Sequence, residues 1–171
     1  MNTQNLFWRE LYSLKSHANY LSRYLENTER TDRRISIALA VFSTSSLGLW
    51  AALKQFEMLW AGIIVLTQIA QVVRKYLPYA ARLKALFGAT HEFEEHLIWA
   101  EEKWHHVASG GLTGEEIINL RMEIQKRVLK AMRTHFKDVV LPRNLDLMAG
   151  AEADAQTYFS NYYSENENDQ S

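Results

Sequence analysis

Residues 35–73 read ISIALAVFSTSSLGLWAALKQFEMLWAGIIVLTQIAQVV. Two apolar runs flank the tetrapeptide Lys54-Gln55-Phe56-Glu57. The first, 35–53, has 19 residues and no charge; the second, 58–73, has 16, which Phe56, Tyr76 and Leu77 can lengthen. As a helix rising about 1.5 Å per residue, the first run spans roughly 28 Å, close to the hydrocarbon thickness of a bilayer. A core helix in a water-soluble bundle usually carries a polar stripe every third or fourth residue. Here the main polar residues of the first run are Ser43, Thr44, Ser45 and Ser46, and none is ionisable. The pattern predicts a transmembrane helical hairpin over 35–77, with a buried hairpin in a soluble helical protein as the competing expectation.

The flanking charges orient the hairpin. Lys54 is the one basic residue of the turn, whereas Arg30, Arg33, Arg34, Arg74 and Lys75 lie outside the two runs. Basic residues are retained on the cytoplasmic side, so both termini are expected there. No signal peptide is expected, because the first run starts behind a long polar segment.

Outward from the hairpin the chain reads as helix. It has 171 residues with 7 Gly, 2 Pro and no Cys, which disfavours sheet and excludes disulfides and thiolate chemistry. The net charge of −1 supplies no global basic field for nucleic acid. Phe7, Leu11, Leu14, Ala18, Leu21 and Leu25 are spaced 4, 3, 4, 3, 4, a heptad seam that requires another helix of this chain or of a neighbouring subunit. Thr28, Asp32 and Ile35 continue the spacing, so this helix is expected to run straight into the apolar run. Trp8, Tyr12, Tyr20 and Tyr24 lie off the seam and read as packing residues rather than a stacking platform.

After Pro78, which favours a kink, a helix is expected over about 79–107, with an apolar stripe through Leu83, Leu86/Phe87, Phe93/Glu94, Leu97 and Ala100/Trp104. Ser109-Gly110-Gly111 ends it. Thr113 and Glu116 form a capping box for the next helix, which runs to about Lys137 before Leu141-Pro142. Asn144 caps a last helix, and an acidic tail over 164–171 is expected to be disordered. The resulting fold class is all-α: a cytosolic amphipathic helix (1–34), the membrane hairpin (35–77) and a cytosolic helical bundle (78–163).

Within the hairpin, Ser36, Ala40, Thr44, Gly48 and Ala52 recur every fourth residue, a small-residue face that lets helix backbones approach closely in lipid. Ser43, Thr67, Gln68 and Gln71 are the polar candidates for a pore lining, with interhelical hydrogen bonding as the alternative role. Trp50 and Trp60 sit near the outer end, as interfacial aromatics do.

Catalytic signals are weak. Residues 91–96 read HEFEEH, but a zinc-protease helix needs its histidines four apart, and these are five apart. His17 and His135 stand isolated, and neither a phosphate-binding glycine loop nor a nucleophile elbow occurs. No enzyme activity, metal or cofactor is expected. Charge segregation carries more information. Between His91 and Glu116 seven acids face Lys103 alone; between Arg121 and Arg143 seven bases face Glu123 and Asp138. Lys126, Lys130, Arg133 and Lys137 are spaced 4, 3, 4 and form one basic face. It suits a phosphate-bearing ligand or anionic lipid headgroups, unless it packs against the acidic helix.

The segments WRELYSLKSHANYLSRYLENTERTDRRISIALAVF (8–42), entering the apolar region, and QIAQVVRKYLPYAARLKALFGATHEFEEH (68–96), leaving it, give an order of elements that resembles the SLATT family. That family comprises two-transmembrane effectors associated with bacterial nucleotide-signalling and anti-phage conflict systems. The likeness covers about residues 5–135 and rests on topology and placement. It implies a multi-pass protein of the bacterial inner membrane and a homo-oligomeric pore. The pore would be controlled by a nucleotide or oligonucleotide from a partner nucleotidyltransferase, or by a sensor protein. With no sensor domain among these residues, any ligand is expected on the helical bundle itself. One hairpin is too small to enclose water, so a symmetric assembly such as a tetramer is expected, with the heptad seam and the small-residue face as subunit contacts. A non-conducting scaffold that recruits a protein partner is the other expectation. Gly48→Leu should block backbone approach and disrupt the assembly, as measured by crosslinking or native mass spectrometry in detergent.

Overall fold

Neither glycine nor proline interrupts residues 3–44, and in a computed structural model this stretch is a single helix, α1 (Thr3–Thr44). The structure describes residues 3–44, 62, 65, 68, 69 and 79–164. Three further helices follow: α2 (Tyr79–Ala108), α3 (Gly114–His135) and α4 (Leu145–Ser164). The chain is all-helical, with no strand among the described residues. It divides into two compact units, one formed by Met1–Leu25 with Lys84–Ser171, the other by Glu26–Leu83.

The first unit is a heptad-packed bundle around the start of α1. Phe7, Leu11, Leu14, Ala18 and Leu21 are all buried, and Leu25 is partly so. Seven-residue spacing recurs in the helices they meet. On α2 the buried positions include Leu86, Phe93, Ala100 and Val107; on α3 they are Ile117, Ile124 and Ala131. A strict seven-residue repeat keeps one apolar stripe turned toward a neighbouring helix over several turns. On α4 small side chains, Ala151 and Ala155, let the helix approach closely before Phe159 fills the end of the core. The seam expected as a possible subunit contact is therefore occupied by helices of the same chain. Phe87, expected on the α2 stripe beside Leu86, is 56% exposed, because one residue turns a helix by roughly 100° and carries it off the seam.

Aromatic side chains close one end of this bundle. The Trp8 ring lies 4.8 Å from Trp104, 4.9 Å from Phe159 and 5.1 Å from Tyr163. Off-seam residues of α1 thus have packing roles, as expected for Trp8. Polar ties fix the angle of α1. Glu10 accepts from Arg121 and Gln125 of α3, each at 3.0 Å. Arg23 grips Asp154 of α4 with two bonds, at 2.6 and 2.9 Å. That guanidinium holds the Asp154 carboxyl below its ordinary pKa, chiefly through the hydrogen bond.

Local signals end the helices where the sequence places them. Gly110 takes a φ of 74°, left-handed geometry that a β-carbon disfavours, and its N–H bonds the Val107 carbonyl at 3.3 Å. Thr113 and Glu116 form the reciprocal capping box of α3. The Asn144 side chain accepts from the Leu147 N–H at 3.1 Å and starts α4. Helix α3 stops at His135, two residues short of Lys137.

In the second unit α1 continues through residues 26–44, with an Arg30–Glu26 ion pair and Thr28 buried. The helix does run on into the first apolar run, as far as Thr44. Among the described residues no helix is long and apolar enough to cross a membrane. The expected hairpin falls largely on residues outside them: of 45–78 only Gly62, Val65, Gln68 and Ile69 are described, all helical and exposed. Ser164, expected to begin the disordered tail, is instead the last residue of α4; the Pro78 kink and the rest of the tail lie outside the described residues.

Because Leu11 is fully buried at the centre of the seam, Leu11→Ala should cost about 2–5 kcal/mol of bundle stability. Ser22→Ala, on the exposed face of the same helix, should change stability by less than about 0.5 kcal/mol. Urea denaturation followed by circular dichroism compares them.

Candidate functional site

The basic face predicted on α3 forms in part. Lys126, Lys130 and Arg133 are exposed and, with Leu129 and Thr134, line a shallow depression of about 400 Å³. Lys137 follows the helix end, so helical spacing no longer holds it on that face, and it is not part of the lining. The acidic helix does not neutralise this ridge. Arg121 bonds Glu10, and Arg127 bonds Glu123 within α3 while its guanidinium sits 4.3 Å from the Trp99 ring. Lys126, Lys130 and Arg133 pair with no acid among the described residues. Three unpaired cations around a depression make a site for a polyanion, since each additional phosphate oxygen meets positive charge without displacing a partner.

The hairpin candidates are not brought together among the described residues. Ser43 and Thr44 lie in the last turn of α1, Ser36 bonds the Asp32 carbonyl at 2.8 Å, and Ala40 is exposed. Gln68 is exposed, whereas Gly48, Ala52, Thr67 and Gln71 lie outside the described residues.

A second site was not legible in the sequence. A cavity of about 480 Å³ opens between the Tyr12–Leu21 stretch of α1, the end of α3, the connection after it and the start of α4. Its walls are mainly apolar, with Phe93, Met132 and Leu141 among them. Polar groups gather at one side. The Tyr20 hydroxyl accepts from the Asn144 N–H at 3.3 Å, which places it beside Arg143. The Arg143 guanidinium meets the Met148 sulfur at 3.3 Å. His17, isolated in sequence, also lines the cavity and donates from Nδ1 to the Ser13 carbonyl at 2.7 Å. Tyr12, Ser16 and Tyr20 recur every fourth residue beside the seam, and that stripe was the available signal. Its partners, from Phe93 to Glu152, lie more than seventy positions away.

His135 is not isolated either. Its Nε2–H donates to Glu92 of α2 at 2.8 Å, and the other oxygen of that carboxylate lies 3.6 Å from His96. Gly88 makes room for the ring: a β-carbon there would stand 2.6 Å from His135. Glu92 therefore links α2 to α3, with a histidine on each helix. Among the described residues no group of three or more ligand side chains could hold a metal.

Burial lowers the pKa of His96; Arg127 lowers it further, while Glu92 and Glu95 oppose the shift. A histidine depressed on folding contributes stability that is complete above its unfolded value, about 6.5, and is lost as pH falls toward its lower folded value. His96→Gln should therefore show a smaller loss of urea stability between pH 7.5 and pH 5 than the parent. An equal loss would place the acid sensitivity elsewhere. No protein-family model matches the chain, nor does any curated protein or solved structure.

Proposed function

We propose that the chain is the subunit of an oligomeric membrane pore, gated through its helical bundle by an anionic ligand held on the α3 ridge. The observation that carries this reading is the course of α1. Its first turns are buried as the centre of the bundle, and the same uninterrupted helix extends to Thr44, ten residues along from the start of the charge-free run at Ile35. A helix is stiff because each turn is hydrogen-bonded to the next, so a shift in how the bundle grips the seam is carried along α1.

Two further features support it. Ile37 of α1 is 57% exposed, and Val65 and Ile69 of the second apolar run are 56% and 52% exposed; apolar surface of this kind calls for lipid or a second subunit. The unpaired cations of α3 suit a phosphate-bearing trigger, and a nucleotide or oligonucleotide from a nucleotidyltransferase fits that chemistry and the family resemblance. In this reading both termini are cytoplasmic, the small-residue face packs subunits together, and pore opening damages the envelope of an infected bacterium.

Reconstitution tests the proposal. Protein purified from the membrane fraction should give stepwise currents in planar bilayers, and expression should depolarise cells. Lys126→Ala, Lys130→Ala and Arg133→Ala together should leave assembly intact and weaken binding of a tetraphosphate probe about tenfold or more. Recovery in the supernatant after ultracentrifugation without detergent would overturn the reading. So would capture of a stoichiometric partner with no ion flux, which is the behaviour of a scaffold.

A further inference from the structure

We propose that the α1–α3–α4 cavity is a binding site for a small organic monoanion with an apolar body, its carboxylate held by Arg143 and Tyr20. This site is separate from the α3 ridge and does not depend on the pore reading. The volume, about 480 Å³, falls within the range of small-molecule pockets. Phe93, Met132 and Leu141 offer the apolar contact such pockets use.

The recognition chemistry sits at one side. Arg143 has a thioether as its neighbour and no carboxylate partner among the described residues. A guanidinium offers up to five N–H donors, so the contact with the thioether leaves most of its capacity unused. The Tyr20 oxygen already accepts from the backbone of Asn144, and its own O–H meets no acceptor among the described residues. Both donors line the same largely apolar cavity, which suits a carboxylate with a hydrophobic tail or ring system.

Glu152 sets the charge of the ligand. It lines the same cavity, and no cation pairs with its carboxylate among the described residues. A single negative charge is matched by Arg143, although with Glu152 on the same lining the occupied site already carries a net negative charge. A second would face Glu152 without a compensating base, so a phosphate dianion is disfavoured here. The α3 ridge, with three cations, has the opposite preference. The two sites therefore sort anions by charge.

Calorimetric titration of the full chain, in nanodiscs with empty nanodiscs as the blank, tests the assignment with 1-naphthylacetate, 1-naphthyl phosphate and 1-naphthylmethylamine. Naphthylacetate should bind the parent; in the variant carrying Lys126→Ala, Lys130→Ala and Arg133→Ala together, which lacks the ridge cations, it should bind more tightly than the other two. Arg143→Met should weaken it about tenfold or more, and Tyr20→Phe about threefold. Met132→Trp, which fills the cavity, should abolish binding; Arg143→Met lies at an exposed position and keeps the test valid if the filled variant misfolds. Ser22→Ala, at an exposed position of α1 that does not line the cavity, should leave naphthylacetate binding unchanged. Absence of binding, equal affinity in the parent and Arg143→Met, or tighter binding of the phosphate or amine by the variant without ridge cations would each overturn the inference. None of these results bears on conductance, so failure here and failure of the pore reading are distinguishable.

Discussion

Burial of the α1 seam is the contact on which the rest of the bundle depends. Phe7, Leu11, Leu14, Ala18 and Leu21 turn inward over nearly four turns of one helix, and α2, α3 and α4 each contribute side chains to the cluster that encloses them. An apolar stripe of this length left in water would favour association with whatever apolar surface came near. The seam is thus covered within the chain, whereas Ile37 on the same helix is exposed.

The same packing decides which charges are spent and which are left over. Glu10, Asp154 and Glu92 are engaged by Arg121, Arg23 and His135; of these acids Glu92 alone belongs to the acidic segment between His91 and Glu116. Arg127 turns to Trp99 and Glu123. What is left is a ridge of three cations on the outer side of α3. Exposed ion pairs of this kind add little stability individually, but they fix which residues stay available to a ligand.

Heptad packing also explains the cavity. Seams at seven-residue spacing bring helices together along stripes, and where α3 ends and the chain crosses to α4 no further heptad residue fills the space. Met132, Leu141 and the aromatic flank of α1 border the gap. Tyr12, treated as a packing residue on sequence grounds, does pack against Phe159 at 5.7 Å and also lines the opening. Packing and ligand-facing roles are not exclusive for a side chain with an apolar ring and a polar tip.

Helix ends and the seam were written locally. The Thr113–Glu116 box, the Asn144 cap, the stop at Gly110 and the periodicity of residues 7–25 all depend on neighbours within a few positions, and sequence reading located each. The apolar character of 35–53 and 58–73 is likewise a property of sequence, and the membrane proposal rests on it. Which helix covers the seam, that His135 reaches Glu92, and that Tyr20, Arg143 and Glu152 share one cavity were decided by tertiary structure alone. His135 and Glu92 are 43 positions apart, and Tyr20 lies 123 and 132 positions from Arg143 and Glu152, so their meeting depends on the register in which the four helices pack. That register is set by the summed fit of many side chains, which no short stretch of sequence encodes.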